Sequence, residues 1–113
     1  MGKFQVILYE NWEGKKIIQE YILKLDKRRR TKIYRQIEYL LTYGITRDNP
    51  ALKKIANTPL WESRVLEKDN IRLLVSKVES SIVILNIFTK KSKKTPESEI
   101  KLAIKRLSGL NTR

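Results

Sequence analysis

One carboxylate, two arginines and a run of lysines are the residues here whose types and spacing could do chemistry. Glu62 and Arg64 stand two apart in the β-rich run Leu60 to Leu66, so both side chains emerge on one face of a sheet. Arg72 lies in the next β-rich run, where a hairpin register would bring it beside them, and Lys90, Lys91, Lys93 and Lys94 follow the third. An arginine offers a phosphate a planar fork of two hydrogen bonds and keeps its charge at any cellular pH. A carboxylate set among such cations can take the proton of a sugar 2'-hydroxyl while they stabilise the charge growing on phosphorus. The chemistry would be metal-free scission of an RNA strand to a 2',3'-cyclic phosphate. The same pattern also fits an exposed cross-strand ladder of Glu62, Arg64 and Arg72, worth little to stability. By residue pattern alone the ladder is favoured.

Composition narrows the chemistry. The 113 residues include 25 Lys plus Arg against 12 Asp plus Glu, a net charge of +13, with no histidine and no cysteine. That excludes the usual zinc-ligand sets, thiolate chemistry, disulfides and histidine acid–base pairs. Four glycines form neither a P-loop nor a dinucleotide-binding pattern, and no metal or cofactor is expected. Such an excess of positive charge raises encounter rates with polyanions, leaving nucleic acid, an acidic protein or an anionic surface as partners. Two further basic clusters are candidates for RNA contact: Lys27, Arg28, Arg29 and Arg30, with Lys32 and Arg35 beyond them, and Lys53 with Lys54. The first sits at a helix start, where the helix dipole disfavours cations; a solvated helix face explains it equally well. Tyr21, Tyr34, Tyr39, Tyr43 and Trp61 interleave with basic residues as base-stacking candidates, although Tyr21 and Tyr34 fall on or beside buried stripes and read as core, and Trp61 points away from Glu62 to pack under the helices. No run approaches the apolar length of a membrane helix, and no secretory signal opens the chain. A cytoplasmic protein without membrane association is expected.

The elements that must position these residues follow from periodicity. Lys3 to Tyr9 alternates as a strand. Asn11 is placed to cap a helix bearing Ile17, Ile18, Tyr21, Ile22 and Leu25, and Asp26 to cap a second bearing Ile33, Ile37, Leu40 and Leu41, with Gly44 as its stop. Almost no linker separates them, which predicts a helical hairpin. From Ile45 to Pro59 the periodicity dissolves, with a turn of helix expected at Lys53, Lys54 and Ile55. Leu60 to Leu66, Asn70 to Val78 and Ile82 to Phe88 read as a meander of three antiparallel strands, the last apolar on both faces and so covered on both sides. Thr95 and Pro96 then read as a cap and first-position pair for a helix from Pro96 to about Ser108. The expected fold is α+β, a single domain over 1–113, ordered β-α-α-β-β-β-α. Its twisted, mainly antiparallel sheet packs on an N-terminal helical hairpin with a C-terminal helix.

Read in order, Leu60-Trp61-Glu62-Ser63-Arg64, then Ile71-Arg72, then Phe88-x-Lys90-Lys91-x-x-Lys94-Thr95-Pro96 with Glu99-Ile100 and Ala103, the chain resembles the HigB-type branch of the RelE/ParE toxin superfamily. The resemblance implies a RelE-like fold and the toxin of a type II toxin–antitoxin module, a ribosome-dependent mRNA endonuclease that inhibits translation. Its implied partners are mRNA, the ribosome and a helix-turn-helix, HigA-like antitoxin. By position, it implies catalytic roles for Glu62, Arg64, Arg72, Lys90 and Lys91. Arg64 and Arg72 would bind phosphate, the lysines would stabilise phosphate or leaving group, and Lys94 is a further candidate. Some ribonucleases of the superfamily use a histidine or tyrosine near the C-terminus, whereas this chain has no histidine and no tyrosine after Tyr43. Proton transfer would then fall to Glu62 or a lysine. Two other readings stay open: a ParE-like inhibitor of DNA gyrase, and a nonenzymatic, phage-related nucleic-acid-binding protein.

Overall fold

The computed structural model describes residues 4–65 and 70–111. Eight elements follow in order: β1 (Gln5–Leu8), α1 (Ile17–Leu23), α2 (Lys27–Tyr43), β2 (Leu52–Lys54), β3 (Trp61–Val65), β4 (Ile71–Val78), β5 (Ser81–Thr89) and α3 (Glu97–Asn111). The strands form one mixed sheet in the order β1-β5-β4-β3-β2. β1 runs parallel to β5 and every other neighbour is antiparallel. Lys3, Leu66 and the expected connection Glu67-Lys68-Asp69 lie outside the described residues.

Cross-strand partners share a face, so the register sorts the end of the sheet that precedes the irregularity between Leu74 and Val75. Ser63 pairs with Leu73 and Leu73 with Ile87; Glu62 pairs with Leu74 and Leu74 with Asn86. On the Ser63 side, Gln36 Nε2 of α2 donates to Ser63 Oγ at 2.8 Å, and Tyr21 of α1 shares a hydrogen bond with Thr89, the strand partner of Ile71. On the Glu62 side, Asn86 Nδ2 donates to the backbone and carboxylate of Glu99 in α3. The N-terminal helices therefore cover one face and α3 covers part of the other. Ile82 to Phe88 are buried throughout, as a strand sandwiched between helices must be. Ile18, Ile22, Ile33 and Leu40 press onto the sheet from one side, Ala103 and Leu107 from the other. Each large aliphatic side chain so buried contributes about 1.5–3 kcal/mol.

The second helix follows its sequence signals. Asp26 accepts from Arg29 N at 2.9 Å as its cap, and Gly44 ends it at φ +72°. α1 does not. Asn11 spends its carboxamide on Glu13 N and Lys15 N, closing a turn in which Gly14 takes φ +84°. The helix begins only at Ile17, with no side-chain cap. The expected helical turn at Lys53 to Ile55 is also corrected. Leu52–Lys54 is an edge strand, pairing Lys53 with Glu62 and Lys54 with Trp61. Three residues are too few to show alternation, and the two lysines are what an edge strand carries to discourage further pairing. The last helix starts at Glu97 and runs to Asn111, one turn beyond the expected end.

Candidate functional site

β3 places Glu62 on the sheet face that α3 leaves open at one end. Lys53 is its partner on β2, and Arg64 and Arg72 form the next cross-strand pair along the same face. Glu62 and Arg72 are each only 8% exposed, which sets aside the exposed salt-bridge ladder. No ion pair joins Glu62 to either arginine among the described residues. Thr95 instead donates its hydroxyl to Glu62 Oε2, crossing from the end of the lysine loop. The hydroxyl read from sequence as a helix cap is thus committed to the carboxylate.

Around this carboxylate opens a cleft of about 790 Å³, walled by Lys53 and Lys54 of β2, by Lys90, Lys93 and Lys94 of the loop, and by Ile100 of α3. A second depression adjoins it and shares Lys90 and Lys93, with Arg72 and Lys91 in its wall. Lys90 is fixed there because its N–H donates to Asn70 O at 2.7 Å, extending the β4–β5 pairing past the strand end. Burial pushes the Arg72 guanidinium down from its ordinary value, while the Glu62 charge raises it and Arg64 lowers it. An arginine starts so high that it keeps its charge through such a shift. The result is a charged fork held in a partly dry setting, where attraction to an anion exceeds that of a solvated lysine.

The fold brings Glu62, Arg72, Lys53, Lys54, Lys90, Lys91, Lys93 and Lys94 to these two depressions. Arg64 stands exposed across from Arg72 and lines a different cleft, between α2 and the β3 edge. Lys27, Arg28, Arg29 and Arg30 line none of the three; they form the first turn of α2, with Arg29 4.0 Å from Asp26. Tyr34 is 43% exposed rather than part of the core, because it faces away from the Ile33–Leu40 stripe. Trp61 is half-buried and packs against the core cluster. Sequence reasoning missed Thr95 as the partner of Glu62 and Lys53 as its neighbour. Only the pairing of β2 would have pointed to Lys53, and a Thr-Pro before a helix gives no sign of a contact thirty-three residues back.

Fold and site together define a class: a small, strongly cationic α+β domain whose sheet holds a hydrogen-bonded carboxylate and a buried arginine beneath a lysine-rich rim. The chain belongs to the phage-derived protein Gp49-like family (DUF891), whose family model matches residues 20–108. Members of this family are often toxins of toxin–antitoxin systems. The matched span takes in Glu62, Arg72, the lysine loop and nearly all of α3. No curated protein matches the sequence. Among the described residues, no helix is long and apolar enough to cross a membrane.

Proposed function

We propose that this protein is a HigB-type, RelE-like toxin of a toxin–antitoxin module and cleaves messenger RNA without a metal ion. The observation that carries the reading is Glu62, buried and held by Thr95, facing a cleft with five lysines in its wall and one strand from Arg72. A carboxylate alone repels RNA. Here the surrounding cations draw the phosphodiester in, and the carboxylate is left to take a proton.

In this reading Glu62 removes the 2'-hydroxyl proton, the 2'-oxygen bonds to phosphorus, and the bond from phosphorus to the 5'-oxygen breaks. Arg72 holds the nonbridging oxygens as charge builds on them. Lys90 or Lys91 gives a proton to the departing 5'-oxygen. The products are a 2',3'-cyclic phosphate and a 5'-hydroxyl, with every atom and proton accounted for. The ribosome supplies the translated message, and a small helix-turn-helix antitoxin neutralises the toxin and represses the operon.

The test is a translation reaction with purified protein, with RNA ends mapped in the presence and absence of ribosomes. Wild-type protein should generate new 5'-hydroxyl ends. Arg72→Ala should lower the cleavage rate by about 10²-fold or more, as removal of one transition-state donor does. Arg72→Lys, with the charge but not the fork, should recover only part of it. Intact message with folded wild-type protein would sink the proposal.

A further inference from the structure

A second cleft, of about 500 Å³, lies on the other side of the β3 edge. Lys32, Arg35, Gln36 and Tyr39 of α2 form one wall, and Pro50, Ala51, Arg64 and Val65 the other. The α2 residues recur at spacings of three and four, so they line one stripe of the helix. The same stripe continues to Tyr43, whose ring centroid lies 4.7 Å from that of Tyr39 at a tilt of 43°. Both rings are exposed, Tyr39 by 38% and Tyr43 by 61%, and core packing explains neither.

Charge says what would cover them. The guanidinium groups of Arg35 and Arg64 make no hydrogen bond or ion pair among the described residues. Among the described residues, no acidic side chain lines the cleft. An apolar floor beside an aromatic face, with two uncommitted guanidinium groups at its rim, suits a planar base with phosphates on either side. The volume admits about one nucleotide, at the small end of ordinary ligand sites. Arg64 also stands directly across β3–β4 from Arg72, so a strand with one phosphate near Arg72 can pass over Arg64 into this cleft.

We infer that the cleft between α2 and the β3 edge is a base-binding subsite for single-stranded RNA, where Tyr39 stacks on a nucleotide and Arg35 and Arg64 hold its flanking phosphates. It rests on the reading of the Glu62 face as the cleavage site, and extends it by giving the substrate strand a path off that face. Stacking tolerates any base, so the subsite contributes affinity and register rather than sequence choice.

Binding of a fluorescent 2'-O-methyl RNA dodecamer, which cannot be cleaved, tests this separately from catalysis. Measured by anisotropy over a range of salt, Tyr39→Ala should weaken binding by about tenfold, within the range for loss of one stacked base, and leave the salt slope unchanged. Tyr39→Phe should bind as wild type. Arg35→Ala should weaken binding and lower the salt slope by about one, the signature of one lost phosphate contact. Both positions are exposed, so circular dichroism should show the native fold in all three variants. Wild-type affinity and slope in both Tyr39→Ala and Arg35→Ala would overturn the subsite, as would failure of the wild-type protein to bind the oligomer, or displacement of the RNA by an acidic peptide at lower concentration. RNA binding that depends on Tyr39 in a protein that cleaves nothing would keep the subsite and defeat only the nuclease reading.

Discussion

Glu62 shows how much of a residue's chemistry its partners decide. Its spacing from Arg64 put both on one sheet face, and the register bears that out, yet an arginine is not what holds it. Thr95 donates to its carboxylate, and a hydrogen bond to a charged group contributes about 1.5–3 kcal/mol. Thr95→Val keeps the shape and removes the donor. If Glu62 is the base, the variant should cleave RNA at least about tenfold more slowly, equivalent to about 1.4 kcal/mol of barrier. Its melting temperature should fall by several degrees, as loss of that hydrogen bond implies, and Thr95→Ser should restore both rate and stability. An unchanged rate in a folded Thr95→Val would mean that this hydroxyl does not orient the reacting group. Glu62, Arg72, Lys90 and Lys91 were legible as chemistry-bearing residues because type and local spacing single them out. Thr95 was not, since its partner comes from a strand far back in the chain.

At the scale of elements, local signals succeeded where the chain's own neighbours decide the outcome. The Asp26 cap and the Gly44 stop are such cases, each acting within a turn of backbone. Gly44 carries a second constraint: a Cβ built on it would lie 2.6 Å from the Phe4 ring. Gly44→Ala should therefore cost about 1–3 kcal/mol for a backbone at φ +72° and ψ −165°, a region kept for glycine, and about 1–3 kcal/mol more for overpacking. Gly14 is a built-in comparison, since it also has positive φ, at +84°, with nothing within 4 Å of the added carbon. Gly14→Ala should show the backbone cost alone, so a denaturant titration should find Gly44→Ala clearly the less stable of the two. Equal losses would mean that Phe4 moves aside freely. Local signals failed at Asn11, where a competing turn captured the side chain, and at β2, whose identity as a strand comes entirely from the partner it pairs with.

For the whole molecule, a charge of +13 predicts that the RNA binding proposed above is steeply salt-dependent whatever the sequence bound. The fold makes that dependence uneven over the surface. Lys53 and Lys93 wall the Glu62 cleft, so each exchange for alanine should lower the slope of log affinity against log salt by about one. Lys105→Ala, exposed on α3 and outside the clefts described above, should leave the slope as it is. Identical slope changes at all three positions would mean that the protein binds as a uniform cation, with no preferred face.

Taken alone, the sequence determined the net charge that favours a polyanion, the order of seven elements and the set of candidate cations, because charge, periodicity and caps act over a few residues. Tertiary structure decided which of those cations share a cleft with Glu62. It added β2 to the sheet, brought Thr95 to the carboxylate, buried Arg72 while leaving Arg64 exposed, and left the first turn of α2 outside the clefts. The physical reason is that sheet register is set by long-range pairing and by what each face must bury, and those partners are distant in the chain.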